Sequence, residues 1–176
     1  YVFRSNTDTE VIIYAYKQWG IKCVNKLNGM FAFVLYDKSR GELYLVRDRM
    51  GVKPLYYYKY NDNFVFASEL KPIISYPYFQ KEIDETALSL YLHHQYITGP
   101  HTVFKNTFKL EPGHVLCINS YESKLWKYWG VDDVYKNRII YKKDFETAIE
   151  DMKTLLLSAT QLRMISDVSL GGFLSG

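Results

Sequence analysis

The feature that most constrains this chain is a change in the period of its apolar side chains. Between residues 30 and 68 apolar and aromatic residues fall into four strand-like runs, whereas from residue 144 they recur every three to four positions. Residues 30–37 and 42–46 flank the turn Lys38-Ser39-Arg40-Gly41, and residues 55–60 and 64–68 flank Asn61-Asp62-Asn63. Each pair reads as a hairpin, and together they are expected to form one antiparallel meander. Many of the 17 tyrosines suit such a sheet, because a tyrosine can bury its ring and still hydrogen-bond its hydroxyl.

Helical signals surround the hairpins. Thr7-Asp8-Thr9-Glu10 places a threonine three residues ahead of a glutamate. Val11, Ile12, Ala15 and Trp19 follow at helical spacing before Gly20, so a capped helix with a glycine stop is expected. Residues 22–27 read as a short second helix, and residues 68–71 as a helical turn stopped by Pro77. Asp84-Glu85-Thr86-Ala87 opens another helix, with Leu88, Tyr91 and Leu92 on one face. Residues 102–104, 114–118 and 124–128 read as short strands at the margin of the same domain. Residues 130–143 are polar and aperiodic, which predicts a linker. Beyond them Phe145, Ala148, Ile149, Met152, Leu155, Leu156, Ala159 and Leu162 mark an amphipathic helix, and residues 167–174 an apolar strand running into Ser175-Gly176.

Composition narrows the function classes. The chain of 176 residues is 48% hydrophobic and 23% charged, which suits a packed core rather than disorder. Its 22 basic and 19 acidic residues are interspersed, so neither a nucleic-acid nor a membrane partner is expected. The longest apolar run, residues 30–36, is far short of the roughly 18 to 20 residues that cross a bilayer. Two cysteines without metal-like spacing, Cys23 and Cys117, fit a reducing cytoplasm better than a disulfide scaffold.

Several residues invite chemical readings. Asp8 falls in the first turn of a helix, where free amides favour a carboxylate; it either serves that end or also meets a ligand ammonium. Residues 47–54 carry Arg47, Arg49 and Lys53 with Asp48 around Gly51. Either an Arg47–Asp48 salt bridge fixes this loop, or its cations line an anionic pocket. Ser175-Gly176, small residues after an apolar strand, would let backbone amides approach a phosphate. His93, His94, His101 and His114 match no zinc spacing. Cys23 and Cys117 have no histidine partner in the pattern, so neither is expected to be a nucleophile. Glu69 either caps a turn or faces an interface.

In order along the chain stand Ser5-x-Thr7-Asp8-Thr9-Glu10-Val11, Leu27-Asn28-Gly29-Met30-Phe31-Ala32-Phe33 and Arg47-Asp48-Arg49-x-Gly51-x-Lys53-Pro54-Leu55-Tyr56-Tyr57. Ala67-Ser68-Glu69-Leu70-Lys71, Leu110-x-Pro112-Gly113 and Asp167-Val168-x-Leu170-Gly171-x-Phe173-Leu174-Ser175-Gly176 follow. This succession resembles the glutamine-hydrolysing asparagine synthetases. The resemblance implies an α+β fold: an incomplete antiparallel sheet-and-helix domain of the N-terminal-nucleophile hydrolase type, then a helix and strand opening an α/β nucleotide-binding domain. It implies residues 1–130 as the C-terminal part of a type 2 glutamine amidotransferase domain, 131–143 as linker, and 144–176 as the start of the ATP-binding synthetase domain.

The implied chemistry couples two sites. Glutamine is hydrolysed by a first-residue cysteine, and the ammonia passes through a tunnel to a β-aspartyl-adenylate made from aspartate and ATP with Mg2+, giving asparagine. By the resemblance Asp8 holds the α-amino group of glutamine, Phe173 and Leu174 contact the adenosine part of ATP, and Ser175 and Gly176 begin the pyrophosphate loop. The arginine-containing loop is assigned to the core and domain interface. L-Glutamine, L-aspartate and ATP are the implied partners, and a homodimer is left open. Tyr1 is not the nucleophilic cysteine and the loop stops after Ser-Gly, so the chain is expected to be a fragment, inactive alone, with no catalytic residue and no metal ligand of its own. Two alternatives stand beside this: another amidotransferase-ligase of the superfamily, with β-lactam or amidation chemistry, and a non-catalytic β-rich interaction domain.

Overall fold

A computed structural model describes residues 1–173. The chain divides into two compact units, Tyr1–Asp133 and Val134–Gly176. In the first, helix α1 (Asp8–Trp19) and a 3-10 helix (Gly20–Asn25) precede strands β1 (Ala32–Asp37), β2 (Glu42–Arg47), β3 (Tyr56–Tyr60) and β4 (Asn63–Ala67). Helices α2 (Leu70–Ile74) and α3 (Glu85–His94) then lead to β5 (Thr107–Lys109), β6 (His114–Ile118) and β7 (Ser123–Lys127).

Both hairpins form, but they do not join into one meander. The strands make two antiparallel sheets, a four-stranded one ordered β1-β2-β6-β7 and a three-stranded one ordered β4-β3-β5. Strand β2 finds its second neighbour in β6, with Leu45 opposite Leu116 and Val46 opposite Val115, while β3 pairs with β5 through Tyr57 and Phe108. So β6 is a central strand, not a marginal one.

The period of two in β1, β2 and β6 sorts side chains onto opposite faces of the larger sheet. Tyr44, Val46 and Val115 pack under Ala15, Cys23 and Val24 of the helical layer, joined by Phe33, Leu35 and Cys117. Leu45 and Leu116 pack the other way, against Leu55 and Leu110, with Val34, Leu43, Tyr57 and Phe64 around them. Full burial of each such side chain stabilises by roughly 1.5 to 3 kcal/mol. On the far side of the smaller sheet the buried Tyr58 ring meets Phe79, its hydroxyl oxygen accepts from Gln80 N at 3.2 Å, and α2 packs on β3 and β4. The order of layers is helix, sheet, sheet, helix.

Local departures from the expected elements have identifiable causes. Residues 102–104 do not form a strand, because the buried Thr102 hydroxyl donates to Thr107 O at 2.8 Å and accepts from Phe104 N at 3.2 Å, closing a tight loop. Such side-chain bonds compete with ladder pairing. The strand forms after it, at Thr107–Lys109. Of the apolar face expected on α3, Leu88, Tyr91 and Leu92 are exposed and Ala87 is the buried residue. The stretch read as a linker contains helix α4 (Val131–Lys136), at whose start Asp132 and Asp133 pair with Lys127 at 2.7 and 3.0 Å.

In the second unit α5 (Phe145–Gln161) has the expected amphipathic pattern, and the Asp144 carboxylate accepts from Thr147 N at 2.9 Å as its N-cap. The apolar stripe Phe145, Ile149, Met152, Leu155 and Leu156 is exposed. The strand expected over residues 167–174 is absent through residue 173: this stretch is irregular and exposed, with Phe173 fully open to solvent. A strand exists only through hydrogen bonds to a neighbouring strand, and no described strand pairs with it. Leu174 lies outside the described residues.

Candidate functional site

Asp8 is the first residue of α1, with Thr7 as N-cap in extended conformation. The capping box expected from Thr7 and Glu10 does not form, since Thr7 makes no side-chain cap bond. Glu10 reaches back beyond it, accepting from Arg4 N at 2.9 Å and Ser5 N at 2.7 Å. Asp8 is exposed at the helix N-terminus, where the oriented amides favour a negative charge.

A cleft of 410 Å³ opens beside it, lined by Asp8, Thr9 and Ile12 of α1, residues 30–33, Lys53, Pro54 and Ser68. These residues come from four separate segments of the sequence that the fold gathers in one place. Asp8 and Lys53 give the cleft one anionic and one cationic lining residue, a pairing suited to a ligand that carries both an ammonium and a carboxylate.

Residues 47–54 form the support of one wall. Asp48 is 1% exposed, and its carboxylate accepts from Met50 N at 3.1 Å, Val52 N at 3.0 Å and Lys53 N at 2.9 Å. Arg47 donates to Lys53 O at 2.9 Å, Leu110 O at 2.6 Å and Gly51 O at 2.6 Å. Arg49 donates to Leu27 O and Asn25 O at 2.6 and 2.8 Å. The structure thus replaces the expected Arg47–Asp48 salt bridge with two side chains that each bind backbone, the anion taking amides and the cation taking carbonyls. Of the loop's cations only Lys53 lines the cleft; both arginines are used inside the fold.

The Leu110-x-Pro112-Gly113 segment fastens this loop from behind. Gly113 N donates to Asp48 O at 2.9 Å, and Gly113 O accepts from Tyr128 N at 2.8 Å. Gly51 and Gly113 both have φ near the left-handed value, +65° and +67°, and a Cβ on either would collide, with Pro112 Cγ at 2.7 Å or Trp129 O at 2.2 Å. The Tyr128 hydroxyl donates to Arg47 O at 2.9 Å, and burial pushes its phenol up to about 12, so it remains a donor at neutral pH.

Phe173 belongs to the second unit, in the exposed irregular stretch, and Leu174, Ser175 and Gly176 lie outside the described residues. Burial pushes the Cys23 and Cys117 thiols up, which keeps both protonated and unreactive at neutral pH. Among the described residues no group of His, Cys, Asp and Glu could hold a metal ion, and no helix is long and apolar enough to cross a membrane.

A model of the glutamine amidotransferase domain matches residues 1–129. The chain belongs to the glutamine amidotransferase domain family. The match ends close to where the first compact unit ends, so the cleft beside Asp8 lies within the amidotransferase domain. Over 176 residues the chain is 43% identical to a protein of Methanocaldococcus jannaschii assigned provisionally as glutamine-hydrolyzing asparagine synthetase 2, covering 98% of this chain and 33% of the relative. It is 34% identical to glutamine-hydrolyzing asparagine synthetase 3 of Bacillus subtilis, over 99% of this chain and 28% of the relative. It is 32% identical to amidase chry2 of Gibberella zeae, over 99% of this chain and 25% of the relative. The chain spans about a third or less of the length of these curated relatives.

Of the lining residues, the sequence singled out Asp8 as a ligand-binding group and offered Lys53, with Arg47 and Arg49, as one of three loop cations for an anionic pocket. Ser68 was legible only as a member of the segment 67–71, and no local pattern reveals where these segments meet.

Proposed function

We propose that the Asp8 cleft is the glutamine side of an amidotransferase site, with the Asp8 carboxylate binding the α-ammonium of glutamine. The observation that carries this reading is convergence: segments beginning at Ser5, Leu27, Arg47 and Ala67 all contribute to the one cleft, in a chain of the amidotransferase family. The helix, sheet, sheet, helix layering supports an N-terminal-nucleophile hydrolase type of domain over residues 1–130. Residues 131–143 are then the link and 144–176 the start of an ATP-binding domain, in which Phe173 and Leu174 meet adenosine and Ser175 and Gly176 open the pyrophosphate loop.

The whole protein would be a cytoplasmic glutamine-hydrolysing asparagine synthetase, a reading supported by the two synthetase relatives. Hydrolysis of the glutamine amide yields glutamate and ammonia, and ammonia attacks an aspartyl-adenylate to give asparagine and AMP. Activation as an adenylate is required because a carboxylate has no adequate leaving group for attack by an amine. Within the first unit the role of the described residues is confined to glutamine: Asp8 holds its ammonium, and the wall at Lys53, Pro54 and Ser68 bounds the pocket.

The test uses the full-length protein. Glutamine hydrolysis is expected, and Asp8→Ala is expected to raise the KM for glutamine about a hundredfold, the scale of losing a desolvated charge pair of about 3 kcal/mol. With ammonium supplied instead of glutamine, the same variant should make asparagine as the unaltered protein does. An unchanged KM would remove Asp8 from the site. The amidase relative favours a second reading, amidation of a carboxylate other than aspartate; failure of aspartate to drive AMP release, with another carboxylate succeeding, would select it.

A further inference from the structure

Glu10 does not line the cleft, yet its hydrogen bonds join the chain before Asp8 to the helix that carries it. Oε1 accepts from Arg4 N at 2.9 Å, and Oε2 accepts from Ser5 N at 2.7 Å and from the Ser5 hydroxyl at 2.5 Å. The Ser5 oxygen lies 2.9 Å from Thr7 Oγ1. With the Ser5 proton directed to Glu10, Thr7 is the donor of that contact, and the bonds run in one direction, Thr7 to Ser5 to Glu10. The ring so closed spans residues 4–10 and contains Asp8.

We propose that Glu10 is a positioning residue for the glutamine cleft: it fastens residues 4–7 onto the first turn of α1 and thereby sets where the Asp8 carboxylate stands, without touching the substrate. Two observations carry this. The ring accounts for the side chains of Ser5, Thr7 and Glu10, leaving Asp8 and Thr9 as the residues of the segment's polar run that face the cleft. The expected cap on Thr7 is missing, so the ring, rather than a capping bond from the Thr7 side chain, organises the chain entering the helix. Helix ends fray when their first turn is not tied down, and a displaced carboxylate binds an ammonium poorly. The Ser5 hydroxyl, followed by the Arg4 amide, holds the Glu10 carboxyl below the usual carboxylate range, so the ring's acceptor is ionised at neutral pH.

This inference rests on the reading of the cleft as a glutamine site. It is tested on the full-length protein by steady-state glutamine hydrolysis, by asparagine formation with ammonium chloride, and by thermal melting. Glu10→Ala is expected to raise the KM for glutamine about tenfold while kcat stays within about twofold. Glu10→Gln, which keeps one carbonyl acceptor, should recover part of that, and Ser5→Ala should show a smaller rise. Ammonium-supported synthesis should be the same in all of them. A KM that does not move in Glu10→Ala, whether or not the melting temperature falls, overturns the proposal, as does a loss confined to kcat. If Glu10→Ala fails to fold, Ser5→Ala decides by the same KM. Absence of glutamine hydrolysis in the unaltered protein, with ammonium-supported synthesis intact, would overturn the glutamine reading itself and this inference with it. Hydrolysis that proceeds with unmoved KM in the variants would overturn the Glu10 role alone.

Discussion

Residues 47–54 and residues 167–173 both belong to segments through which the sequence resembles the asparagine synthetases, and their physical states are opposite. In the first, Asp48 is 1% exposed and its carboxylate takes three amides, while Arg47 takes three carbonyls. In the second, no helix or strand forms, and Val168, Leu170 and Phe173 are exposed. The difference lies in where each segment finds partners for its backbone. A loop that carries its own anion and cation can satisfy its amides and carbonyls from within and then be buried. In the mainly apolar run Val168 N donates to Ser166 Oγ at 3.2 Å, and no described strand pairs with the rest.

The sharpest way to break this contrast is to remove the anion. Asp48→Ala leaves the amides of Met50, Val52 and Lys53 without their acceptor, and a loss of about 3 kcal/mol is expected, read from the urea midpoint of the chain. Asp48→Asn, which retains one carbonyl oxygen, should cost about half of that. A loss below about 1 kcal/mol would mean that the loop is held by something other than its own carboxylate.

A smaller but still large effect is expected behind the loop. Gly113→Ala places a side chain at φ +67° with its Cβ 2.2 Å from Trp129 O, so the Trp129 carbonyl must move, and the adjacent bond from Tyr128 N to Gly113 O is expected to be lost with it. The left-handed conformation and the lost bond together amount to about 2 kcal/mol. A neutral result would show that residues 110–113 do not fasten residues 47–54. At the other end of the scale, Phe173→Ala should change stability by no more than about 0.5 kcal/mol, because the ring is fully exposed. A melting-temperature drop of several degrees would show instead that this segment is packed and would dissolve the contrast.

Much of the local structure was legible because it depends on neighbours in sequence. The helix opening near Thr7 and stopping at Gly20 appears as α1 (Asp8–Trp19), and both hairpins appear with their turns where Lys38-Ser39-Arg40-Gly41 and Asn61-Asp62-Asn63 predict them. The partners of those hairpins were not legible. A period of two says which residues share a face, but it does not say that β2 continues into β6 rather than β3, because any antiparallel neighbour of matching length satisfies it. The Thr102 hydroxyl turned an expected strand into a loop for a similar reason, since its acceptor, Thr107 O, lies beyond the window that a propensity reads.

The candidate site divides along the same line. By itself the sequence determined that Asp8 would stand at a helix N-terminus and that six ordered segments resemble one family. Only the tertiary structure decided that four of those segments meet at a single cleft, that a fifth locks the loop behind it, and that Glu10 serves residues 4 and 5 rather than a cap on Thr7. Helix ends and turns follow from interactions within about four residues, whereas a cleft is made where segments far apart in sequence, such as α1, Lys53 and Ser68, come together.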